Sequence, residues 1–193
     1  MKKRFLKFHG AGPIILTLTL ANVLKTDGAD KLPGIQAELL YNVKDNLTAI
    51  PDLPATPTSS AEQVTIEDDF TIAVGKPFKK LECTVEAGRI KSTRVGDRDG
   101  GQYKHTCELM VTDGIEAQAA GRLLANSRGY FVVTEMGGTA VLFGTERSPA
   151  YIVYEEYDGG QEGQEKGPAY KATITCYGPT PKPPIFTGAA PIA

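Results

Sequence analysis

The chain has no tryptophan, two histidines, three cysteines and three methionines in 193 residues. So few histidines and an odd number of cysteines leave little material for a disulfide framework, a metal cluster or histidine-based catalysis. No charge of one sign dominates, since 21 Lys+Arg face 23 Asp+Glu for a formal net charge of −2. That balance removes the basic footprint of a nucleic-acid binder and the acid-rich signature of a disordered tail. The 21 glycines and 13 prolines stay below the level of a low-complexity chain. No G-x-S-x-G, H-E-x-x-H or Walker sequence is present. These absences lead us to expect no catalytic residue, no cofactor and no metal: the chain reads as a building block rather than an enzyme.

What is present is strand signal. From Lys80 to Glu86, Leu81, Cys83 and Val85 alternate with polar residues; from Gln102 to Val111, Tyr103, Cys107, Leu109 and Val111 do so; from Tyr170 to Tyr177, Tyr170, Ala172, Ile174 and Cys176 do so. Tyr130–Val133, Ala140–Phe143 and Tyr151–Tyr154 are continuous apolar runs, as strands covered on both faces would be. Gly137-Gly138 predicts a tight hairpin between two of these runs, and Gly96–Gly101 a turn between Arg89–Val95 and the Gln102 strand. One segment departs from this period: Ile115–Ser127, with Ile115, Ala119, Leu123 and Leu124 at helical spacing, Thr112 or Asp113 as cap and Gly129 beyond its end. The layout predicts a mainly β fold, an antiparallel β-sandwich or barrel with one flanking α-helix, a long loop and extended terminal arms. No second core is evident. We expect a basic N-terminal arm, 1–13, and a single β-rich domain, 14–193, with a Pro-rich loop at 50–60 and a Pro-rich C-terminal arm at 178–193.

Those arms stand out by composition. Prolines 51, 54 and 57 exclude a helix or central strand from Ile50–Ser60. Gly178–Pro184 is a semi-rigid spacer that ends in Ile185 and Phe186, two large apolar residues that a solvated tail does not need. The first residues admit two readings. Lys2, Lys3, Arg4 and Lys7 before the apolar run Pro13–Leu24 imitate a secretory signal, although the run is interrupted by Thr17, Thr19 and Asn22 and is too short to span a bilayer. Alternatively they form a basic arm that leads into the alternating strand ILTLTL.

The chemistry-bearing residues read as structural. Cys83, Cys107 and Cys176 each fall on the apolar side of a strand and have no zinc-site spacing. His105 precedes Cys107 by two and shares its face, but a Cys–His pair also needs an orienting acid and access. Asp97 and Asp99 lack the further ligands of a calcium loop. Glu155 and Glu156, as neighbours on a strand, should face opposite ways. Asn46-Leu47-Thr48 matches a glycosylation acceptor, a pattern common by chance.

The order of elements carries a resemblance. The proline-bearing early loop is followed by VGDRDGG and its strand, the helix IEAQAAGRLLANS, the hairpin GYFVVTEMGGTAVLFGT, the strand SPAYIVYEEYDGG and the closing KATITCYGPTPKPPIFTG. From about Ile14 to Gly188 this resembles the tail tube (major tail) proteins of tailed bacteriophages, as a general pattern rather than a fixed motif. The basic stretch Met1–His9 departs from it. The resemblance implies a virion structural protein, made in the host cytoplasm, whose copies form stacked rings, hexamers in that family's manner. Its partners would be itself, other tail and neck proteins, and phage DNA that passes through the lumen without specific binding; no membrane is implied. Carried onto this chain, the candidate self-assembly contacts are Ile50, Leu53, Pro54 and Pro57 in the early loop and Pro181, Pro184, Ile185 and Phe186 in the tail. The alternatives are another ring-forming or decorating virion protein, such as a tail terminator or head-decoration protein, and a secreted bacterial β-sandwich surface or binding protein.

Overall fold

The structure is a computed structural model, and it describes residues 34–84, 88–97, 101–159 and 167–192. Met1–His9, the ILTLTL run, Val85, Glu86 and Asp99 therefore lie outside the described residues. In chain order the first strands are β1 (Ile35–Val43), β2 (Leu47–Ala49), β3 (Thr65–Ile66), β4 (Thr71–Ile72), β5 (Lys79–Glu82), β6 (Arg89–Val95) and β7 (Gln102–Thr112). Helix α1 (Ile115–Leu124) follows, then β8 (Gly129–Glu135), β9 (Ala140–Phe143), β10 (Tyr151–Asp158), β11 (Ala169–Gly178) and β12 (Ile185–Phe186). The fold is the expected mainly β sandwich with one helix among the described residues. A six-stranded sheet has the order β3-β12-β9-β8-β1-β5, a four-stranded sheet the order β10-β11-β7-β6, and β2 and β4 form a small pair.

Alternation decides what each sheet buries. The inward residues Cys107, Leu109 and Val111 of β7 and Ala172, Ile174 and Cys176 of β11 meet Leu39, Phe131, Val133, Val141 and Phe143 of the six-stranded sheet. In β8 and β9 the intervening residues are apolar as well, and Tyr130, Val132 and Leu142 enter a second cluster with Ile66, Phe70, Phe78 and Phe186 on the opposite face. The expectation of one core is corrected: two clusters lie back to back on one sheet. The expected hairpin is present, with Gly138 at φ 85° and its N–H donating to Glu135 O at 2.8 Å. The β6–β7 hairpin also forms across Gly96–Gly101, pairing Val95 with Gln102.

Four readings need revision. The Tyr151–Tyr154 run is covered on one face only, because no described layer packs on the outer face of the four-stranded sheet; Tyr151 and Val153 are exposed while Ile152 is buried. Helix α1 ends at Leu124 rather than Ser127, where the Ser127 hydroxyl donates to Leu123 O at 2.7 Å. Gly114, not Asp113 or Thr112, is its N-cap, and Gly129 already belongs to β8, where a Cβ would come within 2.7 Å of the Phe131 ring. The helix buries Ala120 and Leu124 and leaves Ile115 and Leu123 outside, so its inward face is turned away from the predicted one. Gly121 lies against the Tyr154 ring of β10, and this close approach seats the helix.

The proline-rich segments are the cover of the second cluster. Ile50 and Leu53 pack on it from the loop, where Glu62 holds the turn by accepting from Thr58 N at 2.7 Å. In the tail, β12 pairs antiparallel with β9 and parallel with β3. Beyond it Phe70 N donates to Ala189 O at 3.0 Å and Phe78 N to Pro191 O at 2.8 Å, so the tail clasps the 65–78 segment. Among the described residues no helix is long and apolar enough to cross a membrane.

Candidate functional site

Four of the eight predicted contact residues come together. Leu53, Pro54, Pro57 and Pro184 line a cleft of about 600 Å³ whose wall also includes His105, Cys176 and Ser148. Arg147 and Asp52 face each other at its rim, Nε to Oδ2 3.7 Å. Pro54 is exposed and Pro57 half-buried, whereas Pro184 is buried. The other four lie elsewhere: Ile50 against the second cluster, Pro181 exposed, Ile185 half-buried in β12 and Phe186 buried at 5% exposure. Burial of Pro184 and Phe186 in their own domain corrects the picture of a free tail: these two side chains are already engaged within the chain.

The cleft floor holds the chain's concentration of reactive side chains. His105 is fully buried on the inner face of β7, the side it shares with Cys107. Its Nδ1 shares a hydrogen bond with the Ser92 hydroxyl at 2.8 Å, while Nε2 has no hydrogen-bond partner and Gly178 lies against it. Burial pushes the imidazole down to about 4. Across the β7–β11 ladder its partner is Cys176, a juxtaposition that spacing along one strand could not reveal. Burial pushes the thiols of Cys83, Cys107 and Cys176 up to about 12. A neutral imidazole beside a protonated thiol is not an activated nucleophile, which needs thiolate character.

The remaining candidates are placed without forming a centre. Asp97 is exposed, and no group of three metal-ligating residues occurs among the described residues. Asn46 donates to Asn42 Oδ1 at 2.9 Å, within the fold. Glu155 and Glu156 depart from strict alternation, because a bulge between Tyr154 and Glu156 shifts the register. Glu156 then stands opposite Lys171, and the Glu155 carboxylate also reaches Lys171 Nζ at 3.6 Å.

The more extensive feature is the outer face of the four-stranded sheet. No described layer covers it, and it is built from Tyr151 and Val153 of β10, Thr173 and Thr175 of β11, Thr106 and Met110 of β7, and Lys91 and Thr93 of β6. Its outer strands are unpaired on one side: β10 pairs with β11 alone and β6 with β7 alone among the described residues. Tyr151 is 46% and Val153 54% exposed. Sequence alternation located the polar side of β7 and β11, but not that Tyr151 and Val153 of β10 share it or that both edges are open. Comparison with protein-family models, with curated proteins and with solved structures finds no match for this chain.

Proposed function

We propose that the chain is a self-assembling virion structural protein, a tail tube subunit whose stacked rings, hexamers if it follows the resemblance, make the conduit for phage DNA. The observation that carries this reading is the four-stranded sheet with an uncovered face and two open edges. An open edge presents unpaired backbone groups and is a template for another chain; a closed ring removes every such edge. In such a ring the uncovered face forms the inner wall. Along it Arg89, Lys91, Lys104 and Lys171 are matched by Glu108, Glu155, Glu156 and Asp158, with Arg89–Glu108 paired at 2.9 Å. Phosphate affinity comes from uncompensated Lys and Arg, so DNA slides past a balanced wall. The partners on this reading are further copies, with other tail and neck proteins at the tube ends, and the location is the virion.

Electron microscopy of the purified chain and of virions tests the reading. Long tubes are expected; single rings or capsid-bound copies would point to a terminator or decorating protein, and a chain that stays monomeric at every concentration would remove the proposal. The cleft favours one second reading, a secreted surface or binding protein. Mass spectrometry of the mature N-terminus separates the two, since cleavage near Ala21 supports secretion and an intact Met1 or Lys2 counts against it.

A further inference from the structure

We infer that neighbouring copies join by pairing β10 of one copy with β6 of the next, antiparallel, with Glu156 opposite Lys91 and the uncovered face turned inward. This rests on the self-assembly reading above and names the edges and the register.

Charge selects the edges. β10 carries Glu155, Glu156 and Asp158, and β6 carries Arg89, Lys91 and Arg94. A two-fold joint would set β10 on β10 or β6 on β6, acid against acid or base against base, and like charges directly opposite destabilise a strand pair. A β10-to-β6 joint opposes unlike charges and is head-to-tail, the arrangement that generates rings. Strand direction agrees. All three pairings in the sheet are antiparallel, so β10 and β6 run in opposite directions and meet antiparallel after rotation about the ring axis.

Geometry then supplies the register. Within the sheet Tyr151, Thr175, Thr106 and Lys91 share one register row. Four strands spaced about 4.8 Å apart and tilted about 35–45°, as barrels require, displace that row by about four to six residues per copy. Only an even offset keeps inward residues inward. The direction follows from chirality. Met110 O accepts from Thr84 N on the β6 side of β7, and Asp113 N donates to Pro168 O on the β11 side. For L-residues this puts β11 to the right of β7 when β7 runs upward and is viewed from the core. Right-handed strand coiling makes rows fall toward the right as seen from outside a barrel. With the core side outward, Lys91 of the next copy therefore lies beyond Tyr151, toward the acidic half of β10. Turned the other way, that half would overhang β6.

An offset of four rows pairs Tyr151 with Val95, Val153 with Thr93, Glu156 with Lys91 and Asp158 with Arg89, the bulge residue Glu155 being left out of the ladder. All of β6 and every other residue of β10 are then paired. Glu156 and Lys91 make no ion pair within the described chain, unlike Arg89 and Glu155, so they are available to each other.

The test uses the full chain. Val153→Cys combined with Thr93→Cys should give, on mild oxidation, a ladder of disulfide-linked oligomers on non-reducing gels, while neither single variant should cross-link. Lys91→Glu and Glu156→Lys should each raise the concentration for half-assembly by about tenfold or more, and the double exchange should restore it. Cross-linking by Val153→Cys or Thr93→Cys alone would establish a two-fold joint and overturn the inference. So would an assembling parent chain in which the paired cysteines stay reduced or the double exchange fails to restore assembly; the self-assembly reading would survive that result. A parent chain that never assembles removes both.

Discussion

The two sheets are built from similar strands and end in opposite conditions. The six-stranded sheet is consumed on both faces: Phe131, Val133 and Phe143 point into one cluster, and Tyr130, Val132 and Leu142 into the other. The four-stranded sheet buries Cys107, Leu109 and Ile174 and leaves the alternate residues without a covering layer among the described residues. The difference lies in the prolines. Segments too proline-rich to pair fully in a ladder are folded over the first sheet, and no comparable segment among the described residues lies on the second. The first sheet is therefore the stability of the molecule, and the second is the surface it can offer.

The largest effect should come from breaking the first. Phe186 contacts Phe70 at a ring-centroid distance of 5.4 Å, and Phe70 meets Phe78 at 4.8 Å and Tyr130 at 6.1 Å. Phe186→Ala should cost about 3–5 kcal/mol of unfolding free energy, read from the urea midpoint. Removing Pro179–Ile192 should cost more, because it also takes β12 from between β9 and β3. A truncated chain that unfolds at the parent midpoint would contradict the clasp.

How far the sequence was legible depended on the range of the interaction. Alternation identified β7 and β11 because each has one buried face, and the continuous runs of β8 and β9 announced two. It misjudged β10, whose apolar Tyr151 and Val153 look the same whether covered by a layer or left open for a partner. Helix α1 was located by its local propensity, but its inward face was set by the contact of Gly121 with Tyr154, a tertiary fact with no local signal. The same holds for the site. Leu53, Pro54, Pro57 and Pro184 were singled out by composition, and their convergence depends on how the tail folds back. The His105–Cys176 juxtaposition depends on the register of two strands distant in sequence.

Acid should act next, through the four-stranded sheet. His105 has its pKa lowered from 6.5 to about 4 by burial on the inner face of β7. The unfolded chain then binds the proton more readily than the folded one. His105 thus contributes stability that is present above pH 6.5 and lost as pH falls from there toward about 4. Urea midpoints measured across this window should decline, and His105→Gln should flatten the upper part of the decline, above the range where carboxylates such as Glu62 begin to titrate. An unchanged slope in that variant would mean that the imidazole is solvated in the folded protein.

The smallest effect on folding should come from the bare face itself, and there the contrast between the sheets is sharpest. Val133 of β8 is 1% exposed and Val153 of β10 is 54% exposed. Threonine conserves the shape of valine, so replacing either changes polarity with little change in volume. Val133→Thr places a hydroxyl in the core between the sheets and should cost about 1–3 kcal/mol. Val153→Thr places it where solvent already reaches and, with threonine well suited to strands, should stay within about 0.5 kcal/mol. If Val153→Thr costs as much as Val133→Thr in the isolated chain, β10 is covered within the monomer and its face is not free. If its cost appears only at concentrations where copies associate, the valine is buried by a neighbour, as a pairing strand at the edge of a ring requires.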